Sequence, residues 1–172
     1  YMFLRGFCRT CHARIPIVYP LVEMITGLLF VAHYWQIGWQ PLTVSRCIFI
    51  SAMVVLCMID LKHRILPDAI TLPGIVFGFF FSWFMEPGWQ SSLIGIVFCG
   101  GAMFVIREIY YWIRNEEGIG MGDIKMLGMI GAFLGWKLTL LTLMLSVFLG
   151  SVVGVLVVVA GRGDMKHALP FG

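Results

Sequence analysis

The chain has 172 residues, of which 60% are hydrophobic and 12% are charged, and its mean hydropathy is +0.93. Soluble domains carry about 25% charged residues, so the composition excludes an ordinary soluble protein and indicates an integral protein of a lipid bilayer. The net charge of +3 is too small and too scattered to indicate nucleic-acid binding. The chain opens on Tyr1 without the regions of a signal peptide, so we expect it to be part of a longer protein.

The N-terminal residues 1–18 form a basic arm that contains two cysteines with ligand spacing, Cys8 and Cys11. A structural zinc site needs four ligands, so this pair predicts half of a four-cysteine site, whose second pair would lie upstream. Two free thiols are the alternative. His12 also completes a c-type haem attachment pattern. Haem attachment occurs on the far side of the membrane, however, and we place this arm in the cytoplasm.

Residues 19–172 are expected to form one transmembrane domain of the all-α, polytopic class. Most of its apolar segments reach the roughly 17–25 residues that a spanning helix needs, whereas the fifth is short and rich in glycine. We predict about six transmembrane helices, at residues 20–37, 42–60, 69–85, 91–113, 123–135 and 138–160.

Lysine and arginine set the orientation, because cytoplasmic segments of membrane proteins carry an excess of both. With a cytoplasmic N-terminal arm, the opposite side receives only Arg46 and Lys137. The cytoplasmic side then receives ten basic residues, namely Arg5, Arg9, Arg14, Lys62, Arg64, Arg107, Arg114, Lys125, Arg162 and Lys166. This topology places the loop between residues 60 and 68 and the loop between residues 118 and 123 on one face.

Carboxylates stand at the helix ends in both of these loops, where lipid makes an isolated charge costly. Asp60 ends its helix and could simply pair with the basic residues at 62–64. Asp68 follows Pro67, and this position favours capping of the next helix over a direct catalytic role.

Asp123 lies in the sequence Gly-Ile-Gly-Met-Gly-Asp-Ile-Lys at residues 118–125. It could cap its helix, but Gly120 and Gly122 remove side chains beside it and would let a peptide backbone approach closely. We therefore favour a functional role for Asp123. Farther along the same segment, Gly131 and Gly135 are four residues apart, which indicates close packing on a neighbouring helix.

Two facing carboxylates can carry out hydrolysis. They can hold one proton between them, because the first charge opposes the second ionisation. The ionised carboxylate then takes a proton from water, and the protonated one hydrogen-bonds the scissile carbonyl. The serines lie within or at the ends of apolar segments, and the sequence contains no HExxH motif of a zinc protease.

Taken together, these motifs resemble the bacterial type IV prepilin peptidases (prepilin leader peptidase/N-methyltransferases), which are aspartyl proteases with a GxGD signature. The motif GxGD alone is weak, but the ordered set is specific. The resemblance rests on the cysteine pair at 8–11, the segment 19–23, Ile59-Asp60, the segment 66–68, the segment 120–125 and the terminal segment 169–172.

The resemblance implies that Asp60 and Asp123 are the catalytic pair, with Asp68 and Lys125 in supporting positions. It implies removal of short basic leaders from prepilins and pseudopilins of type IV pili and type II secretion, typically after glycine. The reaction would take place at the cytoplasmic face of the bacterial inner membrane. Proteolysis would need no cofactor, whereas N-methylation of the new N-terminus would use S-adenosylmethionine, and the cysteine arm would bind zinc in the full-length protein.

The chain departs from the family pattern in two ways, and two other functions are alternatives to a prepilin peptidase. Long family members have another CxxC pair and a helix before residue 1, and a final helix after residue 172, so we expect both ends to be missing. A proton-coupled transporter is one alternative, since intramembrane carboxylates also relay protons. A presenilin-like intramembrane protease is the other, although the Pro-Ala-Leu motif of that group is not found.

Overall fold

The structure is a computed structural model that describes Arg14, residues 16–115, Gly118 and residues 120–159. Helices make up its regular structure, so the predicted all-α class is confirmed. The helices are α1 (Val18–Ile37), α2 (Pro41–His63), α3 (Asp68–Phe84), α4 (Trp89–Ile94), a π-helical segment (Gly95–Gly100), α5 (Gly101–Arg114) and α6 (Met121–Val159).

Four helical stretches of the described chain are long and apolar enough to cross a membrane: Val18–Ile37, Pro41–His63, Trp89–Arg114 and Met121–Leu156. The helix α3 is apolar but shorter, with 17 residues. The chain is therefore a polytopic membrane protein. The prediction of six spans is not confirmed, because α3 falls short and the two predicted segments within α6 are joined in a single stretch that is interrupted at Gly135.

The helix α6 is interrupted at Gly135, whose backbone angles of φ 74° and ψ 169° are not helical. Asp123 and Ser146 nevertheless line one small cavity. A straight helix would separate these 23 positions by about 35 Å, at about 1.5 Å per residue. The second arm of α6 therefore folds back beside the first at Gly135, close to the predicted break between residues 135 and 138.

The chain divides into two compact units, residues 1–54 and residues 55–172. The first unit contains α1 and the beginning of α2. A short connection joins the two helices, and the hydroxyl of Thr43 donates a hydrogen bond of 2.6 Å to the carbonyl of Gly38. Gly38 has a φ of 78°, a conformation that glycine adopts without a steric penalty.

In the second unit, α3 runs parallel to the first arm of α6. Gly74 lies against Met129, and one turn farther along α3, Gly78 lies against Phe133. A Cβ atom at Gly78 would come within 2.6 Å of the Phe133 ring. Glycine at this position lets α3 lie close to α6. Because the two contacts advance in the same direction along both helices, α3 and α6 begin at the same end of the unit.

The continuous stretch from α4 to α5 runs antiparallel to the same arm of α6. The hydroxyl of Ser92 donates a buried hydrogen bond of 2.8 Å to the carbonyl of Ala132. Farther along, a Cβ atom added to Gly131 would lie 2.5 Å from the carbonyl carbon of Gly95, so the two backbones touch. The predicted close packing at Gly131 is confirmed, and small residues permit it.

Candidate active site

Asp60 lies in the last turn of α2 and is only 6% exposed. Its Oδ2 atom is buried and has no hydrogen-bond partner among the described residues. The helix ends where Arg64 adopts a φ of 54°, and the Arg64 N–H donates a hydrogen bond of 2.7 Å to the backbone carbonyl of Asp60. The alternative of ion pairing with residues 62–64 is not seen in the described part of the chain. The carboxylate is thus buried with unused hydrogen-bonding capacity, which is costly for a structural residue.

Asp123 lies in the first turn of α6 and is half-buried. Its backbone N–H donates a hydrogen bond of 3.2 Å to the carbonyl of Gly120, and the Gly120 backbone also hydrogen-bonds the Asp123 carboxylate. A Cβ atom at Gly120 would stand 3.3 Å from Asp123 Oδ2. Gly120 therefore lies directly against the acid and holds it through the backbone.

The structure brings Asp60 and Asp123 together, although 63 positions separate them in the sequence. The Asp60 charge acts directly on the Asp123 carboxylate, so the two groups are within electrostatic range. Both belong to the second compact unit. The expected meeting of the two acidic loops is thus found in the structure, while the catalytic role of the pair stays a prediction.

Gly122 has a packing role that the sequence does not reveal. A Cβ atom at this position would lie 2.8 Å from the Cβ atom of Leu66, in the short connection between α2 and α3. Gly122 therefore lets that connection rest on the first turn of α6. Its predicted part in substrate approach is untested, and a valine there would collide with Leu66 whether or not a peptide binds.

Asp68 and Lys125 also meet, in an ion pair between the beginnings of α3 and α6. The Lys125 Nζ atom lies 2.7 Å from both carboxylate oxygens of Asp68. The capping interpretation of Asp68 is wrong, because Pro67 occupies the cap position and α3 begins without a side-chain cap. The carboxylate is used for a contact between helices instead.

A cavity of about 60 Å³ opens beside Asp123. Sequence reasoning missed the residues that the second arm of α6 contributes to it, because their proximity to Asp123 depends on the turn at Gly135. Most of the lining residues are apolar, and two of them carry hydroxyl groups. The residues that line it with Asp123 are Met103, Ile124, Met126, Leu127, Ile130, Thr142, Leu143 and Ser146.

The predicted metal ligands lie in a part of the chain that the structure does not describe. Cys8, Cys11 and His12 lie outside the described residues, so a zinc site in the arm stays a prediction. Within the part of the chain that is described, no group of three or more His, Cys, Asp or Glu residues is placed to hold a metal ion.

Comparison with known protein families agrees with this geometry. The family model described as "Type IV leader peptidase family" matches residues 47–155, which include both carboxylates. A second model, "Bacterial Peptidase A24 N-terminal domain", matches residues 1–37. The chain belongs to the type IV leader peptidase family.

Three curated relatives carry the name "Prepilin leader peptidase/N-methyltransferase". The protein from Neisseria gonorrhoeae is 32% identical over 175 residues, covering 100% of this chain and 59% of the relative. The protein from Pseudomonas putida is 34% identical, with 100% and 60% covered. The protein from Myxococcus xanthus is 36% identical, with 96% and 50% covered. The chain thus spans between half and three fifths of the length of these relatives. No solved structure gives a significant match.

Family membership does not favour the two alternative functions. A proton relay is expected deep in the membrane, whereas Asp60 and Asp123 lie at the end of one helix and the beginning of another. The presenilin-like alternative shares GxGD, but the matched family is that of leader peptidases.

Proposed function

We propose that the protein containing this chain is a prepilin leader peptidase in which Asp60 and Asp123 activate water. The observation that carries the proposal is the convergence of two carboxylates from distant segments, one of them buried with an unpartnered oxygen. The substrates would be prepilins, as the names of the relatives suggest for those proteins, and pseudopilins, as the sequence resemblance implies.

The reaction needs only the two carboxylates and a water molecule. One carboxylate accepts a proton from water as the water oxygen bonds to the scissile carbonyl carbon. The other, protonated, donates a hydrogen bond to the carbonyl oxygen. Collapse of the tetrahedral intermediate breaks the C–N bond, and the proton passes to the amine that leaves. The pair works as a unit, so we assign neither role to one residue alone.

The carboxylate end, by which we mean the end of α2 and the beginnings of α3 and α6, is proposed to face the cytoplasm. Among the described residues, Lys62, Arg64 and Lys125 lie at this end, which supports that side by the excess of basic residues. Lys137 follows the turn at Gly135, at the opposite end of the first arm of α6. A short basic leader would then be presented where the peptide enters from the cytoplasm.

N-methylation is proposed for the full-length protein, because the relatives' name includes that activity. The amine released by cleavage would be the acceptor. Its lone pair would take the methyl group from the sulfonium of S-adenosylmethionine, leaving the neutral thioether and one proton. The predicted Cys8–Cys11 arm is proposed to serve this step through zinc rather than to serve proteolysis.

The decisive experiment incubates the full-length membrane protein with a prepilin and measures the product N-terminus by mass spectrometry. Asp60→Asn and Asp123→Asn keep the side-chain shape but remove the ionisable group, so each should reduce cleavage to background. Glu86→Gln is the matched control, because Glu86 is exposed in the connection between α3 and α4. Substantial cleavage by either Asn variant at normal expression would overturn the assignment.

The same assay separates methylation from cleavage. The double variant Cys8→Ser/Cys11→Ser should lose metal, measured by elemental analysis, and should lose methyl transfer while retaining measurable cleavage. Fully methylated pilin from a metal-free variant would break the link between the thiols and methylation. Equal loss of both activities in a well-inserted protein would mean that the arm supports the protease site itself.

A further inference from the structure

The ion pair between Asp68 and Lys125 joins the two chain segments that carry the proposed catalytic acids. Asp68 is the first residue of α3, and Lys125 is the fifth residue of α6. Both Asp68 oxygens stand 2.7 Å from Lys125 Nζ, so a single ammonium binds the whole carboxylate. The pair is partly open to solvent, since the Lys125 side chain is 28% exposed and the Asp68 side chain 56%.

The position of Lys125 separates it from the reacting groups. Residues two apart on a helix do not face each other, so Lys125 and Asp123 point to different sides of α6. The lysine reaches α3, whereas Asp123 interacts with Asp60. Lys125 is therefore placed to fix where α6 begins, rather than to exchange protons at the carboxylate pair.

The connection between α2 and α3 transmits this restraint to Asp60. Only residues 64–67 lie between the end of α2 at His63 and Asp68. Leu66 in this connection rests on Gly122, next to Asp123. Holding Asp68 against Lys125 thus limits how far the end of α2 can move from the beginning of α6.

We infer that Asp68 and Lys125 are positioning residues that keep Asp60 and Asp123 within reach of one shared proton. This inference rests on the proposed function. Partly exposed ion pairs contribute little to overall stability, so we assign the pair a role in the placement of the carboxylates. Catalysis is more sensitive to placement than folding is, because small misalignments slow the chemical step.

The test is a double-mutant cycle on prepilin cleavage by the full-length protein. Asp68→Asn and Lys125→Gln should each lower kcat about fivefold with little change in KM. The double variant should be no slower than the slower single variant, since both changes remove one interaction. Lys125→Arg should retain most of the activity, because guanidinium also binds a carboxylate through two hydrogen bonds.

Two controls make the result specific. Lys137→Gln removes the same charge beyond the turn at Gly135 and should leave kcat unchanged. Raising the salt concentration should slow the wild type toward the double variant, whose kcat should respond less, because salt screens a partly exposed pair. The double variant thus controls for effects of salt on substrate binding.

Three results would overturn the inference. The first is multiplicative losses in the double variant, about 25-fold if each single change costs fivefold, which would show that the two residues act separately. The second is unchanged kcat in both single variants. The third is a rise in KM at constant kcat, which would make Lys125 a substrate contact. The proposed function would fail differently, through activity that survives Asp60→Asn or Asp123→Asn.

Discussion

Two groups of glycines, in α6 and just before it, have different surroundings. At the carboxylate end, Gly120 and Gly122 lie against an acid oxygen and a leucine side chain. Half-way along the first arm, Gly131 lies against the backbone of Gly95. At Gly120 the Asp123 carboxylate can rotate away from a new methyl group, and at Gly122 the loop that carries Leu66 can shift, whereas backbone held in two packed helices can do neither. Glycines in the packed interior should therefore determine folding, and those at the carboxylate end should determine activity.

The largest effect is expected from Gly131→Ala. The new Cβ atom would lie 2.5 Å from the Gly95 carbonyl carbon and 2.7 Å from its oxygen, so α6 and the π-helical segment would have to separate. Overpacking of this kind costs about 3 kcal/mol at the upper end of its usual range. Unfolding in detergent, followed by circular dichroism, should show a large loss of stability, and cleavage should fall with the amount of folded protein. A folded variant of normal stability would show that the helices can move apart.

A smaller loss, mainly of activity, is expected from Gly122→Ala. Its Cβ atom would lie 2.8 Å from the Cβ atom of Leu66, so the connection after α2 would be pushed away from Asp123. We expect about a tenfold loss of kcat, since a displacement near 1 Å can cost about a hundredfold. Membrane insertion should be unchanged.

Leu66→Gly provides the matched control for that prediction, because it removes the Cβ atom that the new methyl group would meet. Adding Gly122→Ala to Leu66→Gly should therefore cost much less activity than adding it to the wild type. An undiminished loss in the double variant would point to a different cause, such as exclusion of the peptide substrate, which is the role predicted for Gly122 from the sequence.

The sequence predicted those features that follow from local composition. The apolar segments and the glycines that interrupt them predict that one helix ends at Asp60 and another begins near Asp123. The distribution of lysine and arginine predicts that the two loops lie on one face of the membrane. The packing at Gly131 also follows from glycine spacing, and the boundary predicted between the apolar segments 123–135 and 138–160 lies at the break in α6. These features can be predicted from the sequence because each depends on a few residues that are neighbours in the chain.

Other features depend on contacts between residues far apart in the chain and could not be predicted from the sequence. Asp68 could cap α3 or bind a distant cation, and only the fold brings Lys125 to it. The contact of Leu66 with Gly122 depends on how two loops meet. Thr142 and Ser146 reach the cavity beside Asp123 only because α6 turns back at Gly135.

A still smaller effect, confined to catalysis, is expected from Gly120→Ala. The added Cβ atom would stand 3.3 Å from Asp123 Oδ2, so the carboxylate would have to shift by a few tenths of an ångström. We expect about a threefold loss of kcat and a change in stability within about 0.5 kcal/mol. Prepilin cleavage and detergent unfolding, measured on the same preparation, would check both. A loss of stability large enough to explain the loss of cleavage would show that Gly120 acts in helix packing, as Gly131 does.

The smallest effect is expected from Gly150→Ala, in the second arm of α6. No atom lies within 4 Å of the position that its Cβ would occupy, and the residue is exposed. Alanine is a better helix former than glycine by up to about 1 kcal/mol, so stability should stay equal or rise slightly. Cleavage should match the wild type, because this residue touches neither the packed interior nor the carboxylate end. Reduced cleavage with unchanged stability would mean that the exposed face at Gly150 is contacted by substrate or by a partner. Gly150 would then have a third role, distinct from helix packing and from the placement of Asp123.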